Sequence, residues 1–205
     1  MTGRELTSVE VAKLWRAWTP TEVGRRLSGV DATWCVTAGW ALSLFTESAA
    51  RGLHDVEIAL PAGRFDEAMD ALPGFEWDVV GGGRVWPFPE QCAQHFQTWL
   101  REPGTGIYRL DVFREPSIAS RWACGHDLTI RLPNDELILH SDDGIPYVIS
   151  EVALLFKAEH VPPKDQHDFR TVVPALGPAR KDRLRSWLST IHPGHLWICA
   201  LDNLR

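Results

Sequence analysis

The stretch Trp34-Cys-Val-Thr-Ala-Gly-Trp-Ala-Leu-Ser-Leu-Phe45, followed by Arg51-Gly-Leu-His-Asp-Val-Glu-Ile-Ala-Leu60, decides how the rest of the chain is read. Residues 33–37 are short and β-prone, and they run through Ala38-Gly39-Trp40 into an apolar stretch with helical character. A small residue and a glycine at such a strand-to-helix turn let backbone N–H groups and the helix N-terminus face an anion such as a phosphate. Residues 53–60 alternate as a second strand, with Leu53, Val56, Ile58 and Leu60 set against Asp55 and Glu57.

Asp55 and Glu57 are two residues apart on that expected strand, so both carboxylates project from one face. Two carboxylates side by side repel each other and are costly to keep ionised. A hard divalent cation removes that cost, and Mg²⁺ favours one or two carboxylates together with substrate phosphates. A third carboxylate on a neighbouring strand completes such a site. Asp111, the lone acid in the apolar run Tyr108-Arg-Leu-Asp-Val-Phe113, is the candidate.

In the order strand, small-Gly turn, helix, Arg51, D-x-E strand, this segment resembles the nucleotidyltransferase superfamily of the DNA polymerase β type. It is more narrowly similar to the aminoglycoside 2″-adenylyltransferase-like group, whose turn reads "GGWA". Downstream, Gly144-Ile-Pro-Tyr147, Ser150-Glu-Val-Ala-Leu-Leu-Phe-Lys-Ala158 and Pro163-Lys-Asp-Gln-His-Asp-Phe169 are similar to a second block of that group. The resemblance covers about residues 34–60 and 144–188. It implies an α/β (α+β) fold with a mixed β-sheet flanked by helices, and Mg²⁺- or Mn²⁺-dependent transfer of a nucleoside monophosphate from ATP or another NTP to an acceptor hydroxyl. By position it implies Asp55 and Glu57 as metal ligands and Asp111 as third ligand or general base. It places Ala38, Gly39, Trp40, Arg51 and Lys157 around the triphosphate.

The sequence departs from the group at three points. Ala38 stands at the first turn glycine, Ser43 replaces an acid of the following helix, and His54 is displaced by one residue, which on a strand turns it away from the metal site. Ala38 and Ser43 motivate an alternative function, a catalytically degenerate nucleotide-binding or protein-interaction module. Asp165 and Asp168 fall at a helix start, where capping accounts for them, although Asp165 could also anchor Lys157.

Outward from these blocks, helices are expected at residues 8–18, 20–27, 61–72, 150–159, 165–176 and 178–188. Strands are expected at residues 75–80 and 85–88 around Gly81-Gly82-Gly83, then at 94–100, 107–113, 128–132 and 136–139. Residues 1–145 form the expected catalytic domain, and residues 146–205 a smaller helical subdomain packed against it. With 205 residues, 44% hydrophobic and 23% charged, the chain is long and apolar enough for a substantial core. The net charge of −6 argues against a protein that coats nucleic acid, where phosphate neutralisation drives binding. The four dispersed cysteines form no CxxC pair and read as buried free thiols. With neither a signal-peptide pattern nor a membrane-length apolar run, the sequence points to a cytoplasmic protein. Its expected partners are an NTP and a small hydroxyl-bearing acceptor. Of ten tryptophans, Trp77, Trp86, Trp99 and Trp122 are placed by sequence near the cleft, and Trp15, Trp18, Trp34, Trp187 and Trp197 in the core.

Overall fold

A computed structural model describes residues 3–48 and 54–204. Its strands are β1 (Arg4–Glu5), β2 (Cys35–Val36), β3 (Glu57–Pro61), β4 (Glu76–Gly81), β5 (Arg84–Pro87), β6 (Gln97–Arg101), β7 (Tyr108–Glu115), β8 (Ser117–Ile118), β9 (Arg121–Cys124), β10 (Asp127–Leu132), β11 (Ile138–His140) and β12 (Pro146–Val148). Its helices are α1 (Ser8–Leu14), α2 (Pro20–Arg26), α3 (Ala38–Thr46), α4 (Phe65–Ala71), α5 (Asn134–Leu137), α6 (Ser150–Lys157), α7 (Pro163–Val172), α8 (Pro178–Ile191) and α9 (Leu196–Asp202). One mixed sheet runs β1-β5-β4-β6-β7-β3-β2-β12-β11, and β10-β9-β8 form a small second sheet. The mixed sheet flanked by helices agrees with the expected fold class.

Three pieces of local chemistry set this frame. The β4–β5 hairpin closes through Gly82 and Gly83 at φ 55° and 73°, a backbone that only glycine adopts without strain. The unit β2-α3-β3 folds back on itself, pairing Cys35 with Ala59 and Val36 with Ile58. β3 then pairs in parallel with β7, so that Glu57 lies opposite Asp111 and Pro61 opposite Glu115.

Strand alternation separates the two faces of the sheet. Ile58, Leu60, Leu110 and Val112 point away from Glu57 and Asp111, into a core shared with Phe65, Ala68 and Leu72. Fully burying each such side chain stabilises the fold by about 1.5–3 kcal/mol. On the Asp111 side, Trp15, Trp99 and Tyr108 make a smaller aromatic cluster, with ring centroids 5.4 Å apart for Trp15–Trp99 and 4.9 Å for Trp99–Tyr108.

Several element boundaries differ from the sequence expectation. The first helix ends at Leu14, because Arg16 and Trp18 donate their N–H groups to the carbonyls of Tyr108 and Arg109, and this pairing replaces further helical turns. The D-x-E strand begins at Glu57 rather than at residue 53, which lies outside the described residues. Pro61 leads into the 3₁₀ turn Ala62–Arg64 before α4, and residues 134–137 are a helical turn ahead of β11. Helix α7 gives way to the 3₁₀ turn Val173–Ala175, and α9 extends the helical region beyond the expected elements. The expected division at residues 145/146 falls between β11 and β12, hydrogen-bonded neighbours in the one sheet. Of the four free cysteines, Cys35 and Cys124 are buried as expected, whereas Cys92 is half-buried and Cys199 exposed. No described helix is long and apolar enough to cross a membrane.

The C-terminal helices are tied to α3 by a buried charge. Glu151 on α6 is 0% exposed, and it accepts hydrogen bonds from Arg180 Nε and Nη2 of α8 at 2.9 and 2.5 Å. The Arg180 guanidinium also lies over the Phe45 ring of α3, 4.8 Å from its centroid. Removing only the cation strands a buried carboxylate, so Arg180→Leu is expected to cost about 3 kcal/mol or more in urea unfolding. Glu151→Gln, which keeps a polar partner and removes the charge, is expected to cost less.

Candidate active site

Asp55, Glu57 and the α3 turn border one cleft of about 1370 Å³, whereas Asp111 lies buried beside Glu57 and does not line it. Thr37, Ala38, Gly39 and Ser43 line its α3 side; Asp55 and Glu57 lie on its floor, and Lys157 and Lys164 stand across from them. Ala38 opens the helix at φ 49°, the left-handed conformation in which a β-carbon is strained. The turn thus keeps the backbone that a glycine would adopt freely. The N-cap residue of α3, Thr37, makes no side-chain cap, and the first turn holds no acid, so the opening N–H groups are left to another acceptor.

Trp40 is turned toward the chain rather than into the cleft. Its Nε1 donates to the Asp55 carbonyl at 2.9 Å, while Thr37 N donates to the Glu57 carbonyl at 2.9 Å. The turn and the D-x-E segment are therefore fastened to each other through the backbone on either side of Val56. Arg51 lies outside the described residues.

Asp111 is 3% exposed. Its Oδ2 accepts from Gln97 Nε2 at 2.6 Å and from Trp99 Nε1 at 3.0 Å, while its Oδ1 is buried with no protein partner. Burial first, then the Glu57 charge, pushes the Asp111 carboxyl well above the usual range, against the pull of Gln97 and Trp99. Glu57 rises to about 7, chiefly by burial and next by the Asp55 charge, with Lys157 and Lys164 opposing. The charges of Asp55, Glu57 and Asp111 thus act on one another. Among the described residues, no three His, Cys, Asp or Glu side chains converge as a preformed metal-ligand cluster. The residues nonetheless fit a divalent cation: mutual repulsion, desolvation and an orphaned Asp111 oxygen are what a cation would relieve.

Lys157 is committed elsewhere. Its Nζ lies 2.6 Å from Asp165 Oδ1 and 3.1 Å from Asp168 Oδ2; burial opposes the ammonium, but these bonds outweigh it and hold the lysine above its ordinary pKa. Asp165 and Asp168 are therefore not helix caps, and α7, with Pro162 at its N-cap, has no side-chain cap. Lys164, which the sequence reading left without a role, is the exposed lysine on the cleft wall whose charge reaches Glu57. His54 also lines the cleft, because the strand alternation expected to turn it away does not begin until Glu57.

Of the tryptophans placed near the cleft by sequence, Trp122 lines it and Trp99 holds Asp111 from below. Trp77 packs against Phe65 and Trp86 stacks on His95. Gln97, Trp99 and Glu115 carry no sequence motif. Their places follow from the β6–β7 and β3–β7 registers.

Two outcomes test this geometry. Ala38→Gly is expected to stabilise the protein by about 1 kcal/mol in chemical denaturation, since glycine accepts the positive φ without strain. Glu57 titrates at about 7 in the folded protein against an ordinary 4.5. Folding therefore favours its protonated form, and that stabilisation is present below pH 4.5 and lost as the pH rises to 7. Melting curves of the metal-free protein should fall across this window, and Glu57→Gln should flatten the fall.

No protein-family model and no curated protein matches the chain. Solved structures do. The lincomycin-bound lincosamide antibiotic adenylyltransferase LnuA aligns at TM-score 0.53 and 16% identity, over 82% of this chain and 98% of that one. The antibiotic-resistance factor ANT(2″)-Ia in solution aligns at 0.55 and 13%, over 97% and 98%. ANT(2″)-Ia in complex with adenylyl-2″-tobramycin aligns at 0.54 and 15%, over 83% and 97%. At these identities the likeness is one of fold, and in mixed sheet, flanking helices and nearly complete coverage of the matched chains, this protein has the nucleotidyltransferase fold.

Proposed function

We propose that the protein is a nucleotidyltransferase that moves AMP from ATP to a hydroxyl of a small molecule, with release of pyrophosphate. The observation that carries this is that Asp55, Glu57 and an uncapped helix N-terminus border one cleft, with Asp111 buried directly behind Glu57 in the in-register β3–β7 pairing. The structural neighbours, a lincomycin-bound lincosamide antibiotic adenylyltransferase and ANT(2″)-Ia in complex with adenylyl-2″-tobramycin, support a small-molecule acceptor.

In this reading the opening N–H groups of α3 bind the terminal phosphates, and the bent backbone at Ala38 presents them. Asp55 and Glu57 hold Mg²⁺ or Mn²⁺, with Asp111 as third ligand or as the base that takes the acceptor proton. The cation supplies charge neutralisation and polarisation of phosphoryl oxygens. Gln97 and Trp99 fix one Asp111 oxygen, which leaves the other as its free acceptor. Trp40 keeps the Asp55 backbone against α3, and Lys164 adds positive charge on the cleft wall. Lys157 contributes through its pairing with Asp165 and Asp168, which braces α6 against α7.

The test is a pyrophosphate-release assay with each NTP and Mg²⁺ or Mn²⁺, using tobramycin, lincomycin and other hydroxylated compounds as acceptors. Turnover is expected to be highest with ATP, and Asp55→Asn is expected to lower kcat by about 10³-fold. Absence of NTP binding in the presence of either metal ion would overturn the proposal.

A further inference from the structure

Three of the eight histidines form a row that the chemistry above does not use. His126 lies at the β9–β10 turn, His192 closes α8 and His195 opens α9. The ring centroids are 6.2 Å apart for His126–His192 and 6.2 Å for His192–His195. His126 lines the cleft and also packs on the Phe156 ring of α6, at 5.0 Å between centroids.

His195 caps α9. Its Nδ1 accepts the N–H of Trp197 at 3.1 Å, and the side chain also bonds to the Ala158 backbone at the end of α6. An imidazolium carries a proton on both nitrogens and has no acceptor left, so protonating His195 removes the cap. The next ring gives that charge no relief. His192 Nε2 is buried with no hydrogen-bond partner among the described residues, and a charge on His192 opposes one on His195. Burial first, then the His192 charge, holds the His195 imidazole below its ordinary pKa of 6.5, against the Ala158 bond. The elements around it carry Lys157, Glu159 and His160 at the end of α6, Asp127 beside His126 and Asp202 on α9. Lys157 is held by Asp165 and Asp168, and Asp202 by Arg185. Among the described residues, the charge that bears on His195 is that of His192.

The cap is joined to the cleft through Trp197. This residue is 1% exposed; its ring stacks on Phe169 of α7 with centroids 4.3 Å apart, and its Nε1 donates to Gln166 Oε1 at 2.9 Å. Helix α7 carries Lys164 on the cleft wall and holds Lys157 through Asp165 and Asp168. The start of α9 therefore seats the helix that supplies the basic side of the cleft.

We propose that the His126–His192–His195 row is a proton switch: acidification breaks the His195 cap, releases the start of α9 with Trp197 and loosens α7 on the cleft wall. The switch needs neither nucleotide nor metal, so it stands apart from the nucleotidyltransferase reading. Because the folded pKa of His195 is depressed, the cap is intact above pH 6.5 and is lost as the pH falls through the lower folded value.

The test is hydrogen–deuterium exchange of the full chain at about pH 7.5 and about pH 5, corrected for the intrinsic pH dependence of amide exchange. Exchange in residues 196–202 is expected to rise about fivefold or more at the lower pH, and exchange in residues 163–172 to rise with it. His195→Asn keeps a side-chain acceptor at the cap and cannot take the proton, so it should stay protected at both pH values. His192→Gln removes the opposing charge and should move the loss of protection to higher pH. Parent-like exchange in β6 and β7 reports that each variant is folded. Local exchange is read rather than melting, because Glu57 alters global stability in the opposite sense over part of the same range. The switch is overturned if α9 is equally protected at both pH values, if His195→Asn keeps the pH dependence, or if α7 does not follow α9.

Discussion

The parallel pairing of β3 with β7 is the constraint on which the rest of the site depends. It sets Glu57 opposite Asp111 and Pro61 opposite Glu115, so a single register defines both ends of the cleft floor. A slip of one residue would turn Asp111 into the core and bring Leu110 or Val112 to the cleft. That slip is opposed from both sides. The opposite face of these strands is packed with buried aliphatic side chains, and β6 holds the outer side of β7 in antiparallel pairing.

Electrostatics accounts for how the surroundings of the site are built. Carboxylates gathered in a partly desolvated place need compensation, and the protein provides some of it by neutral donors. Gln97 and Trp99 both bond to the same Asp111 oxygen, so the charge is steadied without being cancelled. The nearby cations act at a distance: Lys157 is bound to two aspartates, and Lys164 affects Glu57 from the cleft wall. Elsewhere the same problem is solved by pairing, since Glu151 is buried only because Arg180 grips both its oxygens. The contrast is between Glu151, held by Arg180, and Glu57 and Asp111, which form no ion pair among the described residues.

Much of the site was legible because its parts are local. The turn at Ala38 and Gly39, the helix after it and the D-x-E spacing lie within a few residues of one another, where the periodicities of strand and helix are reliable guides. Asp111 could be singled out because one acid in an apolar strand is expensive unless something uses it. The failures have equally definite causes. Apolar spacing continued the first helix through Trp18, but tertiary hydrogen bonds to β7 claimed that backbone. Asp165 and Asp168 occupy positions suited to caps, yet a lysine eight residues upstream of Asp165 takes both. His54 was assigned a face by alternation in a segment that is not yet a strand.

By itself the sequence determined the two-residue spacing of Asp55 and Glu57 at the start of β3, the small-residue turn before α3 and the presence of enough apolar surface for a core. These follow from the chain's own periodicity and composition, which no partner needs to supply. Only the tertiary structure decided which carboxylates meet, that Lys164 is exposed on the cleft wall while Lys157 is paired, that Gln97 and Glu115 line the cleft, and that Trp99 holds Asp111 behind it. Those facts depend on strand register and helix docking between residues far apart in the chain, and no local pattern encodes the distance between them.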